Sequence, residues 1–274
     1  MRVLMRVAYD GTEYSGWQKQ DNAVTIEGVL TEALRELLGE DVSLIGASRT
    51  DAGVHSLGNV CVFDTQTRIP PEKICYAVNN SLPEDIRVIE SCEVKADFHP
   101  RHCDSEKTYE YKIWNDKFPN PVLRRVSHFT YRKLDVEAMR KVAAKLVGEH
   151  DFGAFCSAGS QVETTVRTIY SIDIIEEKLP DYMVDGCKYI KSDCMNAALS
   201  SDDGYIYGKM IRIRVTGSGF LYNMVRIIAG TLLDIGTGLM DISDIDKCLE
   251  TCDRATAGNT APACGLTMIG IEFK

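Results

Sequence analysis

The segment Gly46-Ala47-Ser48-Arg49-Thr50-Asp51-Ala52-Gly53-Val54-His55 gathers an arginine, an aspartate and a histidine among small residues. Small side chains let a ligand come close to the backbone. A carboxylate beside a guanidinium stays ionised at neutral pH, which suits Asp51 to act as a nucleophile or a general base. The bland alternative is a surface turn in which Arg49 and Asp51 make a weak ion pair. His55 could move protons, although a structural hydrogen-bonding role suits it better. A second charge needing a reason is Arg226, set among Met224, Val225, Ile227 and Ile228. Tyr109 and Tyr111 share one side of a strand under period-two alternation, where the simplest reading is core packing. Leu266, taken alone, reads as core.

Metal and disulfide chemistry find less support. The ten cysteines are scattered, with no CxxC pair. Only Cys248 and Cys252 approach ligand spacing, and they lie at helical spacing, as two thiols on one helix face. Reduced, unliganded thiols in a reducing cytosol are expected. There is no Walker A pattern and no GxGxxG.

The elements that must position these residues follow from periodicity. Val3–Tyr9 reads as a strand ending at the turn signal Asp10-Gly11. Ile26, Val29, Leu30, Ala33, Leu34, Leu37 and Leu38 repeat at helical spacing, with Thr25 placed to cap and Gly39 to stop. Strands are expected at Val42–Ala47, Asn59–Phe63, Ile86–Val94, Lys107–Trp114, Thr168–Ile175, Ile206–Thr216 and Met268–Phe273. Helices are expected at Pro71–Asn80, Asp135–Val147, Tyr222–Ile235 and Ile242–Thr251. The order strand–helix–strand–strand–helix–strand occurs about twice, with a seam near residues 100–110. The expectation is an α+β fold of two pseudo-symmetric halves, 1–105 and 106–274, sharing a largely antiparallel central sheet with a cleft between them. Glu176–Tyr205, rich in Asp, Ser, Gly and Lys, reads as a surface excursion.

With 274 residues, 45% hydrophobic and 26% charged, the chain has ordinary globular composition. Its start is too interrupted by Arg2 and Arg6 for a signal peptide, and no apolar run reaches the roughly 18 residues of a membrane span. A soluble, cytoplasmic protein is expected. A net charge of −9 speaks against nucleic acid, since phosphate contacts depend on Lys and Arg. The distribution reopens the question. Arg101–Lys145 carries 11 basic against 6 acidic residues, and Ile206–Leu233 four basic and no acidic ones. A protein acidic overall can still carry a basic groove.

The Gly46–His55 segment closely resembles the signature around the catalytic aspartate of TruA-family tRNA pseudouridine synthases. Further stretches resemble the family in order: Tyr9-Asp10-Gly11-Thr12 through Ser15-Gly16-Trp17-Gln18, Asp97-Phe98-His99, Lys107-Thr108-Tyr109-Glu110-Tyr111, His150-Asp151-Phe152, Arg167-Thr168-Ile169, Gly219–Arg226 and Ala257–Leu266. The resemblance covers almost the whole chain except Glu176–Tyr205. Departures are few: Ile26-Glu27 stands where Val-Gln is common, and Pro100 where alanine is.

The resemblance implies an isomerase that converts uridine to pseudouridine at positions 38 to 40 of the tRNA anticodon stem-loop. In it Asp51 matches the nucleophile, Arg226 the carboxylate's partner and Arg49 an arginine that assists base extrusion. Tyr109 matches the tyrosine that stacks on the flipped base, and Leu266 an apolar residue of the uracil pocket. It also implies a homodimer with RNA crossing both subunits, and no cofactor or metal, since the reaction involves no net oxidation. Arg124, Arg125, Arg132, Lys133, Arg212 and Arg214 are candidate phosphate contacts. Two rival readings are a non-catalytic RNA-binding protein on the same fold and a carboxylate-dependent hydrolase of small molecules. The first would not require Asp51, and the second lacks a paired acid or a Ser/Cys–His arrangement. A different RNA target is the nearer alternative.

Overall fold

The computed structural model describes residues 1–159, 162–178 and 208–274. Strand β1, Arg2–Tyr9, alternates as its sequence requires, burying Val3, Met5, Val7 and Tyr9. Helix α1, Ile26–Leu38, starts where Thr25 accepts a hydrogen bond from the Gly28 N–H at 3.2 Å. It stops at Gly39, in the left-handed region at φ 68°. There follow β2 (Ile45–Gly46), β3 (His55–Asp64), α2 (Pro71–Val78), β4 (Ile86–Val94), β5 (Ser105–Asn115) and β6 (His128–Thr130). The chain continues through α3 (Val136–Lys145), β7 (Gly148–Asp151), β8 (Val166–Lys178) and β9 (Lys209–Gly217). Helices α4 (Met224–Gly236) and α5 (Asp244–Thr251) precede the last strand, β10 (Leu266–Phe273).

One sheet runs β4-β1-β3-β10-β5-β9-β8-β7, with β2 added to β3 and β6 to β5. Among the described residues every pairing is antiparallel except β10 on β3 and β6 on β5. The expected α+β architecture with a largely antiparallel sheet is therefore present. The final strand sits mid-sheet, joining β3 to β5. Under the sheet lie two apolar clusters. One packs α1 and α2 on β1, β3 and β4 through Leu30, Leu34, Ile74 and Met5. The other packs α3, α4 and α5 on β5, β8, β9 and β10 through Met139, Ile213, Ile228 and Met268. Because β4 is an edge strand and β5 is central, the connection 95–104 must cross β1, β3 and β10.

Several elements differ from expectation. The Val42–Ala47 strand shrinks to Ile45–Gly46: Val42 and Leu44 are buried by packing, without a ladder. Strands β6 and β7 were not anticipated; they have three and four residues and no fully buried position, too little for alternation to register. Cys252 leaves the helix face it was expected to share with Cys248, at φ 54° beyond the end of α5. The excursion begins later than expected, since β8 runs to Lys178; residues 179–205 of it lie outside the described residues.

Candidate active site

Residues 47–54 link β2 to β3 and are fixed from below by residues 9–17. The Trp17 N–H donates to the Thr50 carbonyl and the Gly53 N–H to the Tyr14 carbonyl, both at 3.1 Å. The Tyr9 hydroxyl meets Thr50 Oγ1 at 2.9 Å, and Asn59 Nδ2 donates to the Ser48 carbonyl at 3.0 Å. Two glycines make this approach possible. A Cβ on Gly11 would stand 2.0 Å from the Val54 carbonyl oxygen. One on Gly16, at φ 87°, would stand 2.5 Å from that of Thr50. The loop closes on itself through the Val54 N–H, which donates to the Asp51 carbonyl.

The loop forms one wall of a cavity of about 590 Å³, a size suited to a small ligand. Asp51 lines it, partly buried, with Arg226 Nη1 3.7 Å from its Oδ2. Burial raises the Asp51 carboxyl above its ordinary range, and Arg226 works against that rise. Arg226 is aimed by two bonds of its own: Nε donates to the Ala261 carbonyl at 2.8 Å and Nη1 to Asn223 Oδ1 at 2.7 Å. Asn223 precedes α4 in the left-handed region at φ 61°, a conformation asparagine tolerates better than most residues. From there its Nδ2 also donates to Ser157 Oγ at 2.9 Å.

Across the cavity stands Tyr109 of β5. Its hydroxyl meets Ser48 Oγ at 2.9 Å, and its ring packs edge-on against Phe220, with centroids 5.3 Å apart. Burial, with Asp51 nearby, pushes its hydroxyl up to about 12, so it stays neutral. Leu266 opens β10 and lines the same cavity beside Tyr109. Tyr111 stays in the core and donates to the Pro262 carbonyl at 2.9 Å, bracing the segment that carries Ala261.

Comparison with known proteins gives the family. The chain matches the family described as tRNA pseudouridine synthase over residues 5–102 and 142–274. It is 41% identical over 271 residues to tRNA pseudouridine synthase A of Acetivibrio thermocellus. It is also 42% identical over 272 residues to the protein of that name from Ruminiclostridium cellulolyticum. Each alignment covers 99% of both chains.

The chain belongs to the tRNA pseudouridine synthase family.

Members of this family are isomerases, and the chain is one. Of the residues singled out from the sequence, the fold brings Arg49, Asp51, Tyr109 and Leu266 to one cavity, with Arg226 behind Asp51. Arg49 is exposed on the rim. His55 lies outside the cavity lining, buried beneath the loop; its Nδ1 faces both the Gly11 N–H at 3.1 Å and Asp10 Oδ1 at 3.0 Å. That is a bracing position.

None of the six candidate phosphate contacts lines the cavity. Arg124 and Arg125 are exposed; Arg125 reaches Glu13 at 3.4 Å. Arg132 and Lys133 are exposed as well, Arg132 beside a smaller cavity of about 290 Å³ near Asp234. Arg212 and Arg214 stand on the sheet face opposite Tyr109 and are engaged with carboxylates. Arg214 reaches the buried Glu110 at 2.8 Å, and Arg212 reaches Glu110 at 3.5 Å and also Glu177. The basic side chains that do line the cavity with Arg49 are Arg101 and Lys107. Sequence reasoning gave neither a role, nor one to Ser48 or Asn223. Lys107 had a signal, since it lies two residues before Tyr109 and therefore on the same strand face.

Proposed function

We propose that this enzyme isomerises uridine to pseudouridine at positions 38 to 40 of the tRNA anticodon stem-loop, with Asp51 as its nucleophile. The observation that carries the reading is the Asp51–Arg226 pair in a cavity walled by Tyr109 and Leu266. The reaction breaks the N1–C1′ bond and forms a C5–C1′ bond. The C5 proton is lost and N1 gains one, so the change balances without oxidant or reductant. Asp51 forms and then releases a bond to the nucleoside and returns unchanged. Arg226 opposes the effect of burial and so favours the ionised carboxylate. Tyr109 stacks on the extruded uracil, Leu266 covers its apolar edge, and Arg49 on the rim assists extrusion. Recognition of several tRNAs by one site rests on RNA shape and phosphate contacts rather than base edges. We further infer a cytoplasmic homodimer with RNA crossing both subunits, and the exposed Arg124, Arg125, Arg132 and Lys133 as outer phosphate contacts, while Arg212 and Arg214 are held by Glu110 and Glu177. No helix among the described residues is long and apolar enough to cross a membrane.

The test uses unmodified tRNA transcripts carrying uridine at only one of positions 38, 39 or 40, mapped for pseudouridine after incubation. Conversion at these positions, and none at uridines elsewhere, is expected. Conversion confined to another region of the tRNA would overturn the anticodon assignment.

A further inference from the structure

The cavity has a second chemical wall that the proposed reaction leaves unexplained. Lys107, on β5, donates from Nζ to the Ala47 carbonyl at 3.1 Å. Arg101, in the crossing connection, donates from Nε to the Gly46 carbonyl at 2.7 Å. Both line the cavity that holds Asp51, and both are tied to the backbone leading into its loop. Arg167 on β8 lies outside the cavity lining and donates to the Thr164 and Val166 carbonyls; its charge adds to the positive potential at Lys107. None of the three makes an ion pair with a carboxylate among the described residues. Burial and the two guanidiniums together hold the Lys107 ammonium below its ordinary range. Like charges on Lys107 and Arg101, held at the adjacent Ala47 and Gly46 carbonyls, repel one another, and a ligand anion would relieve that repulsion. The carboxylate of Asp51 does not supply it, since its cationic partner is Arg226.

The donors also suit an anion. One bond from Lys107 leaves two ammonium N–H groups free, and Arg101 keeps both Nη groups unspent. A planar guanidinium beside a lysine is the usual combination for phosphate oxygens.

We propose that Lys107 and Arg101 form a subsite for one phosphodiester group of the RNA strand next to the uridine held at Asp51. The proposal rests on the uridine reading of the Asp51 cavity. It places the strand along the 46–51 segment, with the nucleoside at Asp51 and a flanking phosphate at the entrance to the loop. Lys107 and Arg101 are thus positioning residues: they fix where the extruded nucleoside sits.

The experiment uses the full-length protein and an anticodon stem-loop RNA in which each phosphate around the target uridine is replaced, one at a time, by a neutral methylphosphonate. Binding is read by fluorescence anisotropy and conversion by pseudouridine mapping. Wild type should lose roughly ten-fold in affinity at one flanking phosphate, and Lys107→Met should lose about as much on unmodified RNA. Lys107→Met should be insensitive to neutralising that same phosphate, while Lys107→Arg should restore the sensitivity. The slope of log affinity against log salt should fall by about one for Lys107→Met and for Arg101→Gln. If Lys107→Met keeps the full methylphosphonate penalty, or if its salt slope equals that of wild type, the subsite is refuted. If wild type shows the phosphate signature in binding but converts no uridine, the subsite stands and the proposed reaction fails.

Discussion

Arg226 Nη1 stands 3.7 Å from Asp51 Oδ2 while the same guanidinium is clamped by Asn223 and the Ala261 carbonyl. The carboxylate comes from the loop after β2 and the arginine from α4, 175 positions later. Neither can move far without breaking bonds to its own support. Burial raises the Asp51 carboxyl above its ordinary range, and Arg226 is the influence that opposes the rise.

Removing the arginine should expose that balance. In Arg226→Met the carboxyl rises further, because the opposing influence is gone while burial remains. Single-turnover pseudouridine formation should fall by roughly a hundred-fold or more at neutral pH, by analogy with the loss of one electrostatic catalytic group. The acid limb of the pH–rate profile should move to higher pH. An acid limb unmoved in Arg226→Met would show that the arginine does not act on Asp51.

The same balance makes a stability prediction of known sign. A native carboxyl raised by burial still holds its proton at a pH where the unfolded chain has lost it. Stability therefore falls as pH rises from the ordinary carboxylate range through the native value, and the loss is complete above it. Asp51→Asn cannot ionise, so it should melt higher than wild type at pH 7. The difference should close as pH drops below the ordinary carboxylate range. Calorimetry at several pH values checks this; an Asn variant less stable at pH 7 would mean that the pairing with Arg226 prevails over burial.

Asn223 combines a backbone task with a side-chain task, and two substitutions separate them. Glycine accepts φ 61° without strain but has no amide for Arg226 or Ser157. Alanine loses the amide and is strained by about 1–2 kcal/mol in this region. Asn223→Gly should fold stably yet lose activity, whereas Asn223→Ala should lose both. Full activity in Asn223→Gly would remove the amide from the account.

Tyr109 should be needed for its ring more than its hydroxyl. Tyr109→Phe sacrifices only the Ser48 hydrogen bond and should keep kcat/KM within about five-fold, since one neutral hydrogen bond contributes about 1 kcal/mol. Tyr109→Leu loses the stacking surface, worth about 1–3 kcal/mol per base, and should fall by roughly ten- to a hundred-fold. Equal losses in the two variants would argue for the hydroxyl instead.

Local signals in the sequence carried far. Thr25 and Gly39 bound α1 as their chemistry requires, and the Gly46–His55 segment forms a wall of the cavity. What could not be read is what depends on distant partners. That β10 lies between β3 and β5 is a matter of sheet order, which no local pattern encodes. Glu110 reads as an ordinary polar strand residue, yet across the ladder it faces Arg214 and engages two arginines that look free in the sequence. Asn223 stands at the N-cap of α4, yet its side chain serves Arg226 and Ser157 rather than the first turn of the helix, a use that no local pattern encodes.

The most direct test compares wild type with Asp51→Ala on an unmodified tRNA transcript bearing uridines at 38 to 40, with binding and pseudouridine formation measured on the same samples. Conversion by wild type, none detectable with Asp51→Ala, and affinities within a few-fold of each other are the predicted results. Conversion by Asp51→Ala at a rate near that of wild type, or a wild type that binds the tRNA and leaves every uridine unchanged, would contradict the account.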